Sequence, residues 1–232
     1  MRKYIRLPLA GTYNTRELGG YPTDNGGITS HNIFLRSDDL SSLTESDKDF
    51  LYEYGIRSIL DLRAEEEIKN FDSHIMNDKR FDYKNVSLMD YFDKFDDLYI
   101  TIATIFSDKV KIAFNYIGER ISYGGILFHC MVGKDRTGVT AALLLSLAGV
   151  SMPDITTNYM VSSIYLRPLF ENYLKVYPDT PLNFMESSPA MIESFMKHII
   201  ENHGNVRNYL QAIGVEKSYI DSIADIFVNI CL

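Results

Sequence analysis

Tryptophan is absent from this chain of 232 residues, and cysteine occurs only twice, at Cys130 and Cys231, with no CxxC pair. So few sulfur ligands argue against a zinc site. A bond between the two would disable any nucleophile at Cys130, and Cys231 reads as an ordinary apolar residue. Basic residues are also short: 23 Lys and Arg stand against 31 Asp and Glu, for a net charge of −8. That argues against a nucleic-acid binder working by bulk charge, but it leaves room for a local basic pocket. No run approaches the roughly 18 apolar residues of a membrane helix. The stretch from Tyr4 to Leu9 is too short and interrupted for a secretory h-region. The expectation is a cytoplasmic protein with no transmembrane segment, with a processed secreted form left open; a free reactive thiol favours a reducing compartment. Repeats, low-complexity tracts and linkers are missing too, so residues 1–232 read as a single domain.

What is present centres on His129-Cys130-Met131-Val132-Gly133-Lys134-Asp135-Arg136-Thr137-Gly138. The apolar run Gly125–Phe128 precedes it and Val139–Leu145 follows, which predicts a buried strand, a tight loop and a buried helix. Such a loop can wrap backbone N–H groups around a phosphate dianion at a helix N-terminus. Cys130 then supplies a thiolate nucleophile, and Arg136 a planar fork for two phosphoryl oxygens that Lys would not reproduce. Gly133 permits a positive φ or a close backbone approach. Gly138 is expected to let the helix pack closely on the sheet. Thr137 either donates its hydroxyl to the Cys130 sulfur or simply caps the helix.

Further elements follow from pattern. Ile33 to Arg36 and Arg57 to Leu62 read as strands, and Phe81 to Leu88 as a third candidate. Thr44 is a helix N-cap with Asp47 at the third position, and that helix stops at Gly55. Helices are expected over 108–121, 190–203, 206–213 and 217–230, with two aromatic-rich helical stretches between Pro153 and Pro189. Strands alternating with helices predict an α/β domain with a mainly parallel central sheet.

The string HC-x-x-GKDRTG resembles the loop of the bacterial and fungal tyrosine-protein phosphatase family within the cysteine-dependent phosphatases. Asn14-Thr15-Arg16-Glu17-Leu18-Gly19-Gly20-Tyr21 is similar to that family's NFRDLGGY element, departing at Thr15 and Glu17. Ile33–Ser37 resembles its F-x-RS strand, Gly55–Arg63 its strand ending in DLR (with Glu65, Glu66 and Glu67 after it), and Gly204–Leu210 its closing pattern. The resemblance spans nearly the whole chain. It implies the cysteine-phosphatase fold with a helical C-terminal part, and hydrolysis of phosphomonoesters through a phosphocysteine intermediate with no metal or cofactor. The implied substrate is a phosphotyrosine protein, with dual specificity or a phosphoinositide as the alternative; inorganic phosphate is the product.

The resemblance also suggests roles. Asp135 is implied as general acid because the family carries an Asp at that loop position; Asp61 competes, or instead holds a loop arginine. Met131, Val132, Gly133 and Lys134 would line the bound phosphate, with Arg16 and Asp61 as further substrate contacts, Arg16 alternatively stabilising the loop. Phosphoinositide phosphatases often carry Lys where Met131 stands, which weakens the lipid alternative. Tyr159, Tyr165, Phe170, Tyr173 and Tyr177 would line a helical lid within 153–200, or pack as ordinary helix contacts. Other classes are a non-catalytic phosphate-binding module, opposed by the full set Cys130, Asp135, Arg136 and Thr137, and a sulfur transferase, opposed by the Arg–Thr ending. A Walker loop fails on Phe128 and Asp135, where it needs Gly and Ser or Thr.

Overall fold

The computed structural model describes residues 6–71, 73–89, 97–180 and 185–229. Short strands β1 (Arg16–Glu17) and β2 (Ile28–Thr29) precede β3 (Phe34–Ser37), helix α1 (Glu45–Glu53) and β4 (Ile56–Asp61). Helix α2 (Glu65–Asn70), β5 (Asp82–Asn85), α3 (Leu98–Thr104) and α4 (Ser107–Arg120) lead to β6 (Gly125–His129). The rest is helical: α5 (Asp135–Leu147), α6 (Met152–Tyr165), α7 (Arg167–Val176), α8 (Pro189–His203), α9 (Val206–Ala212) and α10 (Lys217–Phe227), closed by β7 (Val228–Asn229).

The main sheet has the order β1-β3-β6-β4-β5, parallel except for β1, which runs antiparallel to β3. This is the mainly parallel α/β sheet expected. β6 is central and buried along its whole length, as its unbroken Gly-Ile-Leu-Phe-His run requires of a strand covered on both faces. Register decides where the site lies. His129 pairs with Ser37 of β3 and with Asp61 of β4, so three parallel strands end level with one another beneath the Cys130 loop. Open α/β sheets bind ligands at that edge.

Helix α5 leaves the loop and runs through the core, its residues Arg136 to Leu145 all buried. Thr44 caps α1 as expected: its hydroxyl accepts from Asp47 N–H, and its own N–H donates to the Asp47 carboxylate. Two elements depart from the sequence reading. The last helix stops at Phe227, since Val228 and Asn229 leave it to pair with β2. The short α2 and α3 carry no clear apolar period and were not anticipated, yet both bear on the site. Cys231 lies outside the described residues.

Candidate active site

Residues 130–134 form a bend between β6 and α5 whose carbonyls are held from outside. Asp39 N–H donates to the Met131 carbonyl at 3.1 Å. The Asn14 amide donates to the carbonyls of Val132 (3.2 Å) and Gly133 (3.0 Å). Arg36 Nη2 donates to Gly133 O at 2.8 Å and reaches Lys134 O at 3.5 Å. In a planar trans peptide the N–H lies opposite the C=O. Pinning these carbonyls outward therefore turns the following N–H groups toward the inside of the loop, where an anion would sit. Gly133 takes φ +67°, and a Cβ there would stand 2.4 Å from the Ser37 carbonyl, so only glycine lets the loop lie this close to the end of β3.

Cys130 opens the loop and is almost fully buried. Arg136 closes it from the first turn of α5 and meets Glu67 of α2 through both terminal nitrogens, Nη1–Oε2 at 2.5 Å and Nη2–Oε1 at 2.7 Å. Nη1 also reaches the Leu62 carbonyl at 3.4 Å. A guanidinium carries five N–H donors, so the Nε–H and the second Nη2–H remain, and these form the other parallel pair. The fork that would take two phosphoryl oxygens is thus aimed by the fork that holds Glu67. Burial alone would raise the Glu67 carboxyl, but its bonds and charge contact with Arg136 bring it below the usual range. Glu67 was seen in the sequence only as one of three glutamates after the DLR strand.

Arg16 and Arg36 lie behind the loop, fully buried and with no carboxylate in hydrogen-bond contact among the described residues. Asn158 of α6 receives both, through its backbone carbonyl from Arg16 (2.7 Å) and its side-chain oxygen from Arg36 (2.7 Å). Ser162 Oγ accepts from Arg16 Nη2 at 2.9 Å. Burial draws Arg36 down to about 10, against the pull of Cys130, and burial together with Arg36 lowers Arg16 well below its ordinary range. Arg16 thus props Asn14 and the loop from behind. Every described hydrogen bond of its guanidinium runs to Asn14, Asn158 or Ser162.

Asp61 is placed as support too. It is fully buried, chelates Arg63 through Nε and Nη2 (2.7–3.0 Å), accepts from Tyr83 OH at 2.7 Å, and stands 3.6 Å from His129 Nε2. Burial would raise its carboxyl, but His129 and Arg63 outweigh that and bring it to about 2. A carboxylate so held gives up no proton near neutrality. Burial keeps His129 below its usual range, and its Nδ1 lies 3.3 Å from the Cys130 carbonyl.

Asp135 differs in every respect. It begins α5, its side chain is 25% exposed, and it accepts a hydrogen bond from Tyr99 OH at Oδ1. Lys134 Nζ lies 3.6 Å from the same oxygen and donates to the Glu186 carbonyl at 3.1 Å. Lys134 is therefore buried and tied to the segment before α8. Val132 packs on Leu166, Phe170 and Met185, while the exposed rings of Tyr173 and Tyr177 meet at a 39° tilt with centroids 4.8 Å apart at the end of α7. Thr137 does not make the expected bond to the Cys130 sulfur; its hydroxyl is buried with no partner. It sits at the third helical position, too far along for the N-cap role. Gly138 opens space first for the ring of Tyr159, whose Cδ2 would lie 2.9 Å from a Cβ there, with Arg36 of β3 next at 3.7 Å. Among the described residues no group of three or more His, Cys, Asp or Glu is placed to share a metal ion. A cavity of about 490 Å³ at the far end of α5, lined by Asp24, Ser146, Gly149 and Arg207, holds none of these residues.

Residues 7–229 match the model of the tyrosine phosphatase family. The chain belongs to that family. It is 36% identical over 145 residues to a tyrosine-protein phosphatase of Nostoc commune, covering 57% of this chain and 49% of the relative. A putative tyrosine-protein phosphatase of Cupriavidus necator is 35% identical over 100 residues, covering 40% of this chain and 37% of that one. The chain thus spans about half the length, or less, of the curated relatives it matches. Among solved structures, the catalytic core of Siw14 superposes with a TM-score of 0.41 at 19% identity, covering 80% of this chain and 95% of that one, a likeness too distant to carry an argument.

Proposed function

We propose that this member of the tyrosine phosphatase family is a cysteine-dependent protein-tyrosine phosphatase. The observation that carries the reading is the Arg136–Glu67 fork set beside a loop whose carbonyls are pinned outward, a phosphate cradle organised before substrate arrives. Cys130 attacks phosphorus, the S–P bond forms, and the bond to the leaving oxygen breaks as Asp135 gives that oxygen its proton. Water then attacks the phosphocysteine, Asp135 takes a proton from it, and the thiolate leaves with release of inorganic phosphate. Arg136 and the loop N–H groups hold the equatorial oxygens in both steps. The buried Arg16 and Arg36 add positive potential behind an anion-binding loop. The family and the named relatives favour phosphotyrosine as the substrate.

The test is turnover of a phosphotyrosine peptide, a phosphoserine peptide and a set of phosphoinositides with EDTA present, with Cys130→Ser as control. Turnover that the substitution abolishes, ranked with phosphotyrosine first, supports the reading. A ranking led by phosphoinositides replaces the substrate and keeps the mechanism. Binding of phosphate without any turnover overturns the enzyme reading.

A further inference from the structure

Tyr99, the second residue of α3, and Tyr159, midway along α6, are far apart in sequence and meet beside the first turn of α5. Their hydroxyls lie 2.5 Å apart and their rings meet edge to face with centroids 6.1 Å apart. Tyr99 OH also donates to Asp135 Oδ1. Both rings are buried, and Met191 of α8 closes the far side with its sulfur 3.4 Å from the Tyr159 oxygen. Burial and the neighbouring Asp135 push both phenols above their usual range, so each keeps its proton at neutral pH.

The geometry points to Tyr99 and Tyr159 as positioning residues that select which oxygen of Asp135 handles the proton. This rests on the assignment of Asp135 as the general acid. A phenol has one proton to give. Tyr99 spends it on Asp135 Oδ1, so the short contact between the phenols is completed by Tyr159 donating to the Tyr99 oxygen. The Tyr99 hydroxyl donates to Oδ1, and the Lys134 ammonium stands 3.6 Å from the same oxygen. A proton on Oδ1 would face both, so the carboxyl proton resides on Oδ2, which accepts no hydrogen bond among the described residues. Oδ2 therefore gives the proton to the leaving oxygen as its bond to phosphorus breaks, and Oδ2 takes one from water in the second step. Tyr99 meanwhile steadies the charge that appears on the carboxylate between the steps.

Gly138 belongs to the same device. A Cβ at 138 would meet the Tyr159 ring at 2.9 and 3.1 Å, so the glycine that ends the motif is what lets this ring approach the first turn of α5.

The experiment measures kcat/KM, which reports the first chemical step, for aryl phosphates graded from 2,4-dinitrophenyl, whose leaving group needs no proton, to phenyl, whose leaving group does. Wild type, Tyr99→Phe, Tyr159→Phe and Asp135→Asn are compared, with Cys130 alkylation by iodoacetamide and inhibition by inorganic phosphate reporting an intact loop. With general acid catalysis contributing ~10²–10⁴-fold, Asp135→Asn is expected to lose about 100-fold on phenyl phosphate, Tyr99→Phe about tenfold and Tyr159→Phe about threefold, each losing under about twofold on the dinitrophenyl ester. A loss of equal size across all leaving groups, or none on phenyl phosphate, in Tyr99→Phe overturns the proposal while Asp135→Asn keeps its slope. A flat Asp135→Asn series overturns the acid assignment itself, and the proposal with it.

Discussion

Two aspartates stand at opposite sides of the Cys130 loop, and their surroundings differ in kind. Asp61 ends a central strand, has no exposure, and meets a guanidinium through both oxygens. Asp135 starts a helix at the loop's rim, is a quarter exposed, and meets a neutral phenol and an ammonium at one oxygen only. The first arrangement fixes a charge permanently and so stiffens the strand ends under the loop. The second holds a carboxyl in place without consuming both of its oxygens. An acid–base group must be oriented and still have an atom free to react; of the two, Asp135 is the one that keeps an oxygen without a hydrogen bond among the described residues, which supports the role proposed for it.

The sharpest way to break this comparison is to neutralise each aspartate in turn. Asp135→Asn should lower kcat/KM on phenyl leaving groups by about 100-fold, with thermal unfolding within a few degrees of wild type. Asp61→Asn should do the reverse. Removing one partner of a buried ion pair costs about 3 kcal/mol, which for a domain of this size lowers Tm by about 6–12 °C, while turnover per folded molecule falls by less than about tenfold. Equal catalytic losses in the two variants would erase the distinction drawn here.

Acid titration separates the two regions without mutation. Asp61 is held at about 2 in the folded protein, below the value near 3.9 of an unfolded chain. A carboxyl lowered by folding contributes stability above its unfolded value, and that contribution is lost as pH falls from about 4 to about 2. The contribution is about 2 kcal/mol. It should show as a steep fall of denaturant midpoint in that window, and the Asp61→Asn protein should lack it. A smaller effect is expected at Glu67. Glu67→Gln keeps the shape but loosens the Arg136 fork, so kcat/KM should fall about tenfold, and inorganic phosphate should bind more weakly by a similar factor. An unchanged phosphate affinity would show that Arg136 needs no such brace.

Much of this was legible before any coordinates. The loop, its flanking strand and helix, the mainly parallel sheet and the Thr44 cap all rest on local signals: an unbroken apolar run, a Cys and an Arg six residues apart, and a capping box. The two short helices were not legible, because α2 and α3 have seven residues or fewer and no apolar period to read. The end of α10 was misjudged because Val228 and Asn229 continue a helical pattern but find a pairing partner in β2.

The sequence by itself determined the reacting groups of the proposed mechanism, since the covalent chain sets Cys130 and Arg136 six residues apart at the two ends of one loop. Tertiary structure alone decided the supporting cast. Glu67 braces Arg136 across 69 residues, Asn14 holds the loop across 119, and Tyr99 meets Asp135 across 36 and Tyr159 across 60. None of these pairs shares an element, so no periodicity links them. They meet because level strand ends, and helices packed around α5, bring distant segments to one edge of the sheet. Burial then makes each polar partner necessary, because a buried donor or acceptor left without one is costly.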